Sequence, residues 1–299
     1  MTTKNAPTTI HYFSGNQAFA KELCKATDWP GFLIETHQFP DGESLIRVHP
    51  KPGRKAFVLC SLDNPNEKIF ETLCAADALR RAGAKRVGLI VPYLAYLRQD
   101  KVFHEGEPIS QRVIAKVLGE SFDEVVTLEA HLHRIRKLSE VFPCKAVSIS
   151  AAPAIAQWVR KNVPKALLVG PDEESEPWIR AISRLSNLPY VVGQKTRVGD
   201  RRVRISFPDA IEETTAIIVD DIASSGVTIA VAAKALAKCG VDEIHCAIVH
   251  PIFERGALRR IQSAGVVELV SGNTIVHASN AISMSGLIAK KLSPRGRSK

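Results

Sequence analysis

Residues 59–92, LCSLDNPNEKIFETLCAADALRRAGAKRVGLIVP, decide the fold once they are laid over residues 216–249, AIIVDDIASSGVTIAVAAKALAKCGVDEIHCAIV. No gap is needed. Asp63 meets Asp220, Ala75, Ala76, Ala78 and Leu79 meet Ala232, Ala233, Ala235 and Leu236, and Gly83 meets Gly240. Both stretches read as an apolar strand with an acidic end, a loop, an Ala-rich helix, a glycine and a second apolar strand. A self-match over this length marks a duplicated unit. It predicts two domains, an N-terminal one over 1–148 and a C-terminal one over 149–299, with both flanking strands in register.

Outward from the repeat the same alternation continues. AFVLCS, RVGLIVPY, EVVTLEA, ALLVGPD, AIIVDDI, EIHCAIVHP and VVELVSG are short, β-branched and apolar at consecutive positions, as strands buried on both faces are. Between them, EKIFETLCAADALRRAG, ISQRVIAKVLGE, AAPAIAQWVRKN, SEPWIRAISRLS and VTIAVAAKALAKCG carry the spacing of amphipathic helices. Gly83 and Gly240 each stand where a left-handed residue ends a helix. Strands alternating with helices predict an α/β fold, each domain a mainly parallel sheet flanked by helices.

Composition narrows the class. The 299 residues are 45% hydrophobic and 24% charged, which is globular usage rather than disordered or fibrous. The apolar run Val87–Leu97 is broken by Pro92 and ended by Arg98, well short of the roughly 20 residues a spanning helix needs. No membrane partner is expected. The N-terminal stretch has no apolar core behind a basic start, so no secretory leader is expected. Six scattered cysteines without a CxxC pair point to free thiols in a reducing cytoplasm. Forty basic against 31 acidic residues leave a charge of +9, suited to nucleic acid or to a heavily phosphorylated small substrate. The basic stretch QKTRVGDRRVR has no interleaved aromatics for base stacking, which disfavours a nucleic-acid partner.

The chemistry is densest in AIIVDDIASSGVT, residues 216–228. A loop at the carboxyl end of a parallel strand lies in the usual ligand crevice. Ser224, Ser225 and Gly226 can wrap backbone N–H groups around a phosphate, and Thr228 adds a hydroxyl at a helix N-terminus. Asp220 and Asp221 repel a phosphate but fit sugar hydroxyls, or waters on a divalent cation. This stretch resembles the ribose-5-phosphate loop of the PRPP-binding superfamily. With it come FPDGE (39–43), PYLAYLRQDK (92–101), GEPIS (106–110), TLEAHLHR (127–134), GPD (170–172), QKTR (194–197) and the C-terminal NTIVHASNAISMSGLIAKKL, in the order and spacing of the ribose-phosphate diphosphokinase (PRPP synthetase) family, nearest its short archaeal type.

The resemblance implies two repeated phosphoribosyltransferase-like domains. It also implies an enzyme that uses Mg²⁺ to move the β,γ-pyrophosphoryl group of ATP onto the anomeric hydroxyl of ribose 5-phosphate. It assigns ATP contacts to Phe39, Asp41, Glu43, Arg98, Gln99 and His131, and the metal to His131 and Asp172. Lys195 and Arg197 become the catalytic cations on a mobile hairpin. Asp220, Asp221, Ser224, Ser225, Gly226 and Thr228 hold ribose 5-phosphate. The residues also speak for themselves: Phe39 offers a ring for a base, Arg98 a fork for phosphate, and Gln99 a two-sided amide. PDG alone is a turn sequence, and His133 reads as a structural histidine. Self-association, at least as a dimer and as a hexamer in some relatives, is implied by ATP contacts shared between subunits.

Four residues depart from the family pattern: Glu129 where Asp is common, Val102-Phe103 where charged residues are common, and Val227 in place of the second glycine of TGGT. Val227 leaves two readings, an ordinary backbone there or an altered phosphate pocket. A phosphoribosyltransferase and a non-catalytic regulatory paralogue are the alternative functions.

Overall fold

The computed structural model describes residues 8–198, 202–207 and 211–293. The chain falls into two units. The first runs to Ile149 and takes in Thr274–Val276 and the chain from Ser285; the second comprises Ser150–Asn273 and His277–Met284.

In the first unit the elements run β1 (Thr8–Tyr12), α1 (Gln17–Thr27), β2 (Gly31–Leu33), β3 (Glu35–Gln38), β4 (Ser44–Arg47), β5 (Lys55–Leu59), α2 (Pro65–Arg81), β6 (Arg86–Val91), α3 (Ser110–Ser121), β7 (Glu124–Leu128) and β8 (Lys145–Ile149). The second continues with α4 (Ala152–Asn162), β9 (Leu167–Gly170), α5 (Glu176–Ser186), β10 (Tyr190–Val192), β11 (Gln194–Val198), β12 (Arg202–Ser206), β13 (Thr215–Ala223), α6 (Val227–Lys238), β14 (Glu243–Pro251), α7 (Ala257–Gln262), β15 (Val266–Gly272) and β16 (Asn280–Ile282). Helix α8 (Ser285–Leu292) closes the order.

The sheets are six-stranded, β2-β1-β5-β6-β7-β8 and β10-β9-β13-β14-β15-β16, and every neighbouring pair is parallel. The two orders are the same when each unit is counted from its own first strand. Each unit also inserts one antiparallel hairpin after its second strand, β3–β4 in the first and β11–β12 in the second. A shared strand order with the same insertion is far more specific to duplication than a shared βαβ.

Each of the seven strands expected from apolar runs is present, because a parallel sheet covered on both faces buries consecutive side chains. In β5 and β13, Ala56–Leu59 and Ala216–Val219 are all sealed. Gly83 and Gly240 have φ of +106° and +92°, and a Cβ there would meet nothing within 4 Å, so conformation alone requires glycine at both.

The gapless repeat needs one correction. Strands β6 and β14 are counterparts, Arg86 matching Glu243, and helices α2 and α6 end in step. The preceding strands do not keep step: Lys55 pairs with Arg86 while Thr215 pairs with Glu243, so Thr215 corresponds to Lys55, not to Val58. The second unit carries three fewer residues between the start of the strand and the helix end. Asp63 is therefore not the counterpart of Asp220. It binds Lys68 at 2.7 Å in the turn before α2.

A second difference concerns α8. The sequence reading placed it with everything after 148, yet it packs on α1 of the first unit, and Ser285 Oγ donates to Glu22 at 2.9 Å. Helix α4, which follows the first unit's last strand, packs in the same way on α5 of the second. Ile288 is sealed within the first unit. Ile288→Ala is expected to cost about 2–5 kcal/mol, measured as a lowered denaturant midpoint.

Candidate functional site

Because all six strands of each sheet run the same way, their carboxyl ends open on one edge, and the loops there carry the predicted residues. In the second unit, β9 delivers Gly170-Pro171-Asp172, where the Ser175 hydroxyl donates to the Asp172 carbonyl at 2.5 Å. Lys195 lies on β11 opposite Ile205 of β12, and its Nζ donates to Asp172 Oδ2 at 2.9 Å. Arg197 follows on the same strand; its side chain lies outside the described residues.

Strand β13 runs on through Ala223, so Asp220 and Asp221 still belong to the sheet instead of starting a loop, Asp220 pairing with Ile248. The Asp220 carboxyl is held well above the usual aspartate range. Loss of water is the main cause, followed by the charges of Asp221 and then Asp172. The Asp221 N–H, donating to Asp220 Oδ1 at 3.0 Å, offsets part of this. Three carboxylates and one lysine thus leave an excess of negative charge that favours a proton or a cation.

Beyond it lies Ser224-Ser225-Gly226. Gly226 is left-handed, φ +72°, and caps α6. A Cβ on it would sit 2.9 Å from Ile261 Cδ1 and 3.2 Å from the Ala257 carbonyl. Gly226→Ala is expected to destabilise by about 1–3 kcal/mol, checked by thermal melting. Val227 is the first residue of the helix and has no positive φ, so of the two readings the ordinary backbone holds. Its side chain is exposed, leaving the first-turn N–H groups, which lack helical acceptors, available to an anion.

Sequence reasoning missed what braces this loop. Arg260 of α7 donates to the Ser225 carbonyl and pairs with Glu254 at 3.7 Å, while the Glu254 N–H donates to the Ser224 carbonyl at 3.2 Å. FERG (253–256) carries no local pattern that would reveal this.

In the first unit, Phe39, Asp41 and Glu43 form the tip of the β3–β4 hairpin. Phe39 N–H donates to the Glu43 carbonyl at 2.7 Å, and Asp41 Oδ1 accepts from the Glu43 N–H at 3.1 Å. The turn reading of PDG is therefore correct, and the turn presents Phe39 at 41% exposure, edge-on to His37. The hairpin leans on α2, where Ser44 Oγ donates to Glu71 at 2.9 Å.

Arg98 and Gln99 lie in the loop after β6, and His131 in the loop after β7. Arg98 is exposed, and Gln99 Oε1 accepts from Ser110 Oγ at 2.6 Å. Asp100, whose side chain is 5% exposed, ties the two loops together through Arg134 at 3.4 Å. Tyr96 and Glu129 hold positive φ, +64° and +32°, in these loops. Neither residue type favours that region, and such strain gathers at functional sites. His133 is bound to His131, Nε2 to Nε2 at 2.5 Å with rings perpendicular, one nitrogen donating and the other accepting. His133 thus orients the His131 ring. Val102 and Phe103 are exposed, the loop being held by Glu107, whose carboxylate accepts the Phe103 and His104 N–H groups at 3.0 Å. Those bonds lower the Glu107 pKa, the His104 one foremost.

Among the described residues no group of three or more His, Cys, Asp or Glu is gathered as a metal cage, no helix is long and apolar enough to cross a membrane, and the six cysteines are free.

Comparison with known proteins agrees with this geometry. Residues 8–121 match the family model for the N-terminal domain of ribose phosphate pyrophosphokinase, and residues 139–282 match the phosphoribosyl transferase domain. A ribose-phosphate pyrophosphokinase of Pyrococcus abyssi is 37% identical over 275 residues, 91% of this chain and 95% of its own. One of Thermococcus kodakarensis is 36% identical over 273 residues, with the same coverage. A crystal structure of phosphoribosylpyrophosphate synthetase from Mycobacterium smegmatis superposes with a TM-score of 0.82 at 25% identity, over 95% of this chain and 97% of that one. These matches run across both units, which sets aside the one-unit phosphoribosyltransferase alternative. With its doubled sheet, its phosphate loop and its close relatives over nine-tenths of its length, the chain belongs to the ribose-phosphate pyrophosphokinase family.

Proposed function

We propose that the protein makes PRPP by transferring the β,γ-pyrophosphoryl group of ATP to ribose 5-phosphate, with AMP as the second product. The observation that carries this reading is the second unit's carboxyl-end group. There Lys195, Asp172 and Asp220 adjoin a helix-capped phosphate loop, so a cation, a sugar and a phosphate each have a suitable partner.

The 5-phosphate would rest on Ser224, Ser225, Gly226, Thr228 and the first turn of α6. Asp220 and Asp221 would hold the ribose hydroxyls. The anomeric oxygen attacks the β-phosphorus, the bond from that phosphorus to the oxygen bridging to AMP breaks, AMP leaves with that oxygen, and the hydroxyl proton passes to solvent. Lys195 and Arg197 neutralise the transferring group and the departing AMP. Such reactions depend on positioning and charge rather than covalent chemistry.

In the first unit Phe39, Asp41 and Glu43 would meet adenine, Arg98 and Gln99 the nucleotide, and His131 its phosphates. The crowded carboxylates around Asp172 are hard oxygen donors suited to Mg²⁺. With no protein cage gathered, phosphate oxygens and water would complete the shell of an ion held by Asp172 and His131. Bound magnesium supplies charge neutralisation at the phosphates. Self-association, at least as a dimer, and a cytoplasmic location belong to the same reading; sedimentation velocity tests the first.

The deciding experiment incubates the protein with ATP, Mg²⁺ and ribose 5-phosphate and follows nucleotides and PRPP together. AMP and PRPP in equal amounts are expected. ADP as the nucleotide product would overturn the reading in favour of γ-phosphoryl transfer.

A further inference from the structure

The opposite, amino-terminal edge of the first unit's sheet holds a feature that the reaction does not use. Lys55, Glu124 and Lys145 are the first residues of β5, β7 and β8. They line a partly open cavity of about 90 Å³, which Lys291 and Leu292 at the end of α8 also line. Beside it, β6 lies between β5 and β7 and carries Gly88, where a Cβ would fall 2.5 Å from the Phe57 ring and 3.0 Å from Glu124 Cγ, so a larger residue there would crowd Glu124.

Glu124, 6% exposed, binds Lys55 at 2.5 Å and Lys145 more loosely at 3.9 Å. Lys291 has no carboxylate partner among the described residues. Three ammonium groups therefore face one carboxylate around a single small space. Like charges gathered around one nearly buried carboxylate draw a counter-charge. The space suits one small polyatomic anion and is too small for a nucleotide.

We propose that this cavity binds a tetrahedral oxyanion of the phosphate or sulfate class. Lys55, Lys145 and Lys291 hold it, and Glu124 keeps Lys55 in place. A dianion balances the excess of three ammoniums over one carboxylate. It also pins the end of α8 to the starts of β7 and β8, far from the loops after β6 and β7.

Hydrogen exchange on the full-length protein tests this, comparing inorganic phosphate, sulfate and chloride at matched ionic strength. With phosphate or sulfate at ten times its dissociation constant, amides in 286–293 and 145–149 are expected to exchange about tenfold more slowly. Whichever ion protects identifies the ligand. Lys291→Gln and, separately, Lys145→Gln should abolish the protection, and Lys291→Arg should retain it. Any protection of the phosphate loop at 224–228 should persist in all three variants, which reports their folding. Equal protection by chloride, or undiminished protection in both glutamine variants, would overturn the proposal.

Discussion

Replacing Lys195 with alanine is expected to lower kcat about a hundred- to a thousandfold, the size of effect that follows loss of one preorganised charge at a transition state. The argument starts from its partner. Lys195, on the β11–β12 hairpin, pairs with Asp172 at 2.9 Å. In the proposed reaction Asp172 would help hold the cation, and the Lys195 ammonium would serve the group in transfer. A charge used chiefly in the transition state affects kcat more than KM, so KM for ribose 5-phosphate should change little. A thermal melt of the variant matching that of the parent would separate this result from unfolding. Lys195→Arg should recover part of the rate, since the charge is kept while the fork geometry differs. A Lys195→Ala enzyme with more than a tenth of normal kcat would remove Lys195 from the chemistry.

The second large effect is expected at Asp220, with opposite signs for stability and activity. Its carboxyl is raised above the ordinary 3.8 by burial first, then by Asp221 and Asp172. The folded protein therefore binds this proton more tightly than the unfolded chain does. Stability contributed here is greatest at low pH and declines as pH rises from the ordinary carboxylate value through the raised one, so at neutral pH the ionised group is a burden. Asp220→Asn removes that burden and should raise Tm at pH 7 by a few degrees, one pKa unit being worth about 1.4 kcal/mol. The difference from the parent should shrink as the pH is lowered. Mg²⁺ should raise the Tm of the parent more than that of the variant. Turnover should nonetheless fall by orders of magnitude, because the amide cannot serve the sugar or the cation as the carboxylate does. A variant of unchanged Tm across pH would show that the carboxylates are not in conflict.

As candidates these two residues could be named without coordinates, because their signal is local. VDD before a small-residue loop, and KTR on a basic stretch, are contiguous in sequence and need no partner to be noticed. The roles of Arg134, Glu254 and Arg260 were not legible. Each depends on contact with a residue in a neighbouring loop or element, and nothing in its own neighbourhood distinguishes it from an ordinary polar residue. The same holds for Asp63, which the gapless repeat equated with Asp220. Local composition aligned the helices correctly, but strand pairing shows that the preceding strands differ by three residues.

By itself the sequence determined the α/β class, the duplication and the order of the strand-end loops, since backbone burial on both faces writes β-branched runs directly into the chain and each loop follows its own strand. Tertiary structure alone decided that Gly226 and not Val227 takes the left-handed turn, that α8 belongs with the first unit, and that three lysines and Glu124 share one cavity. Those outcomes rest on which surfaces meet across long stretches of chain. An amphipathic helix or a glycine specifies that it will be covered or left small, but not by what.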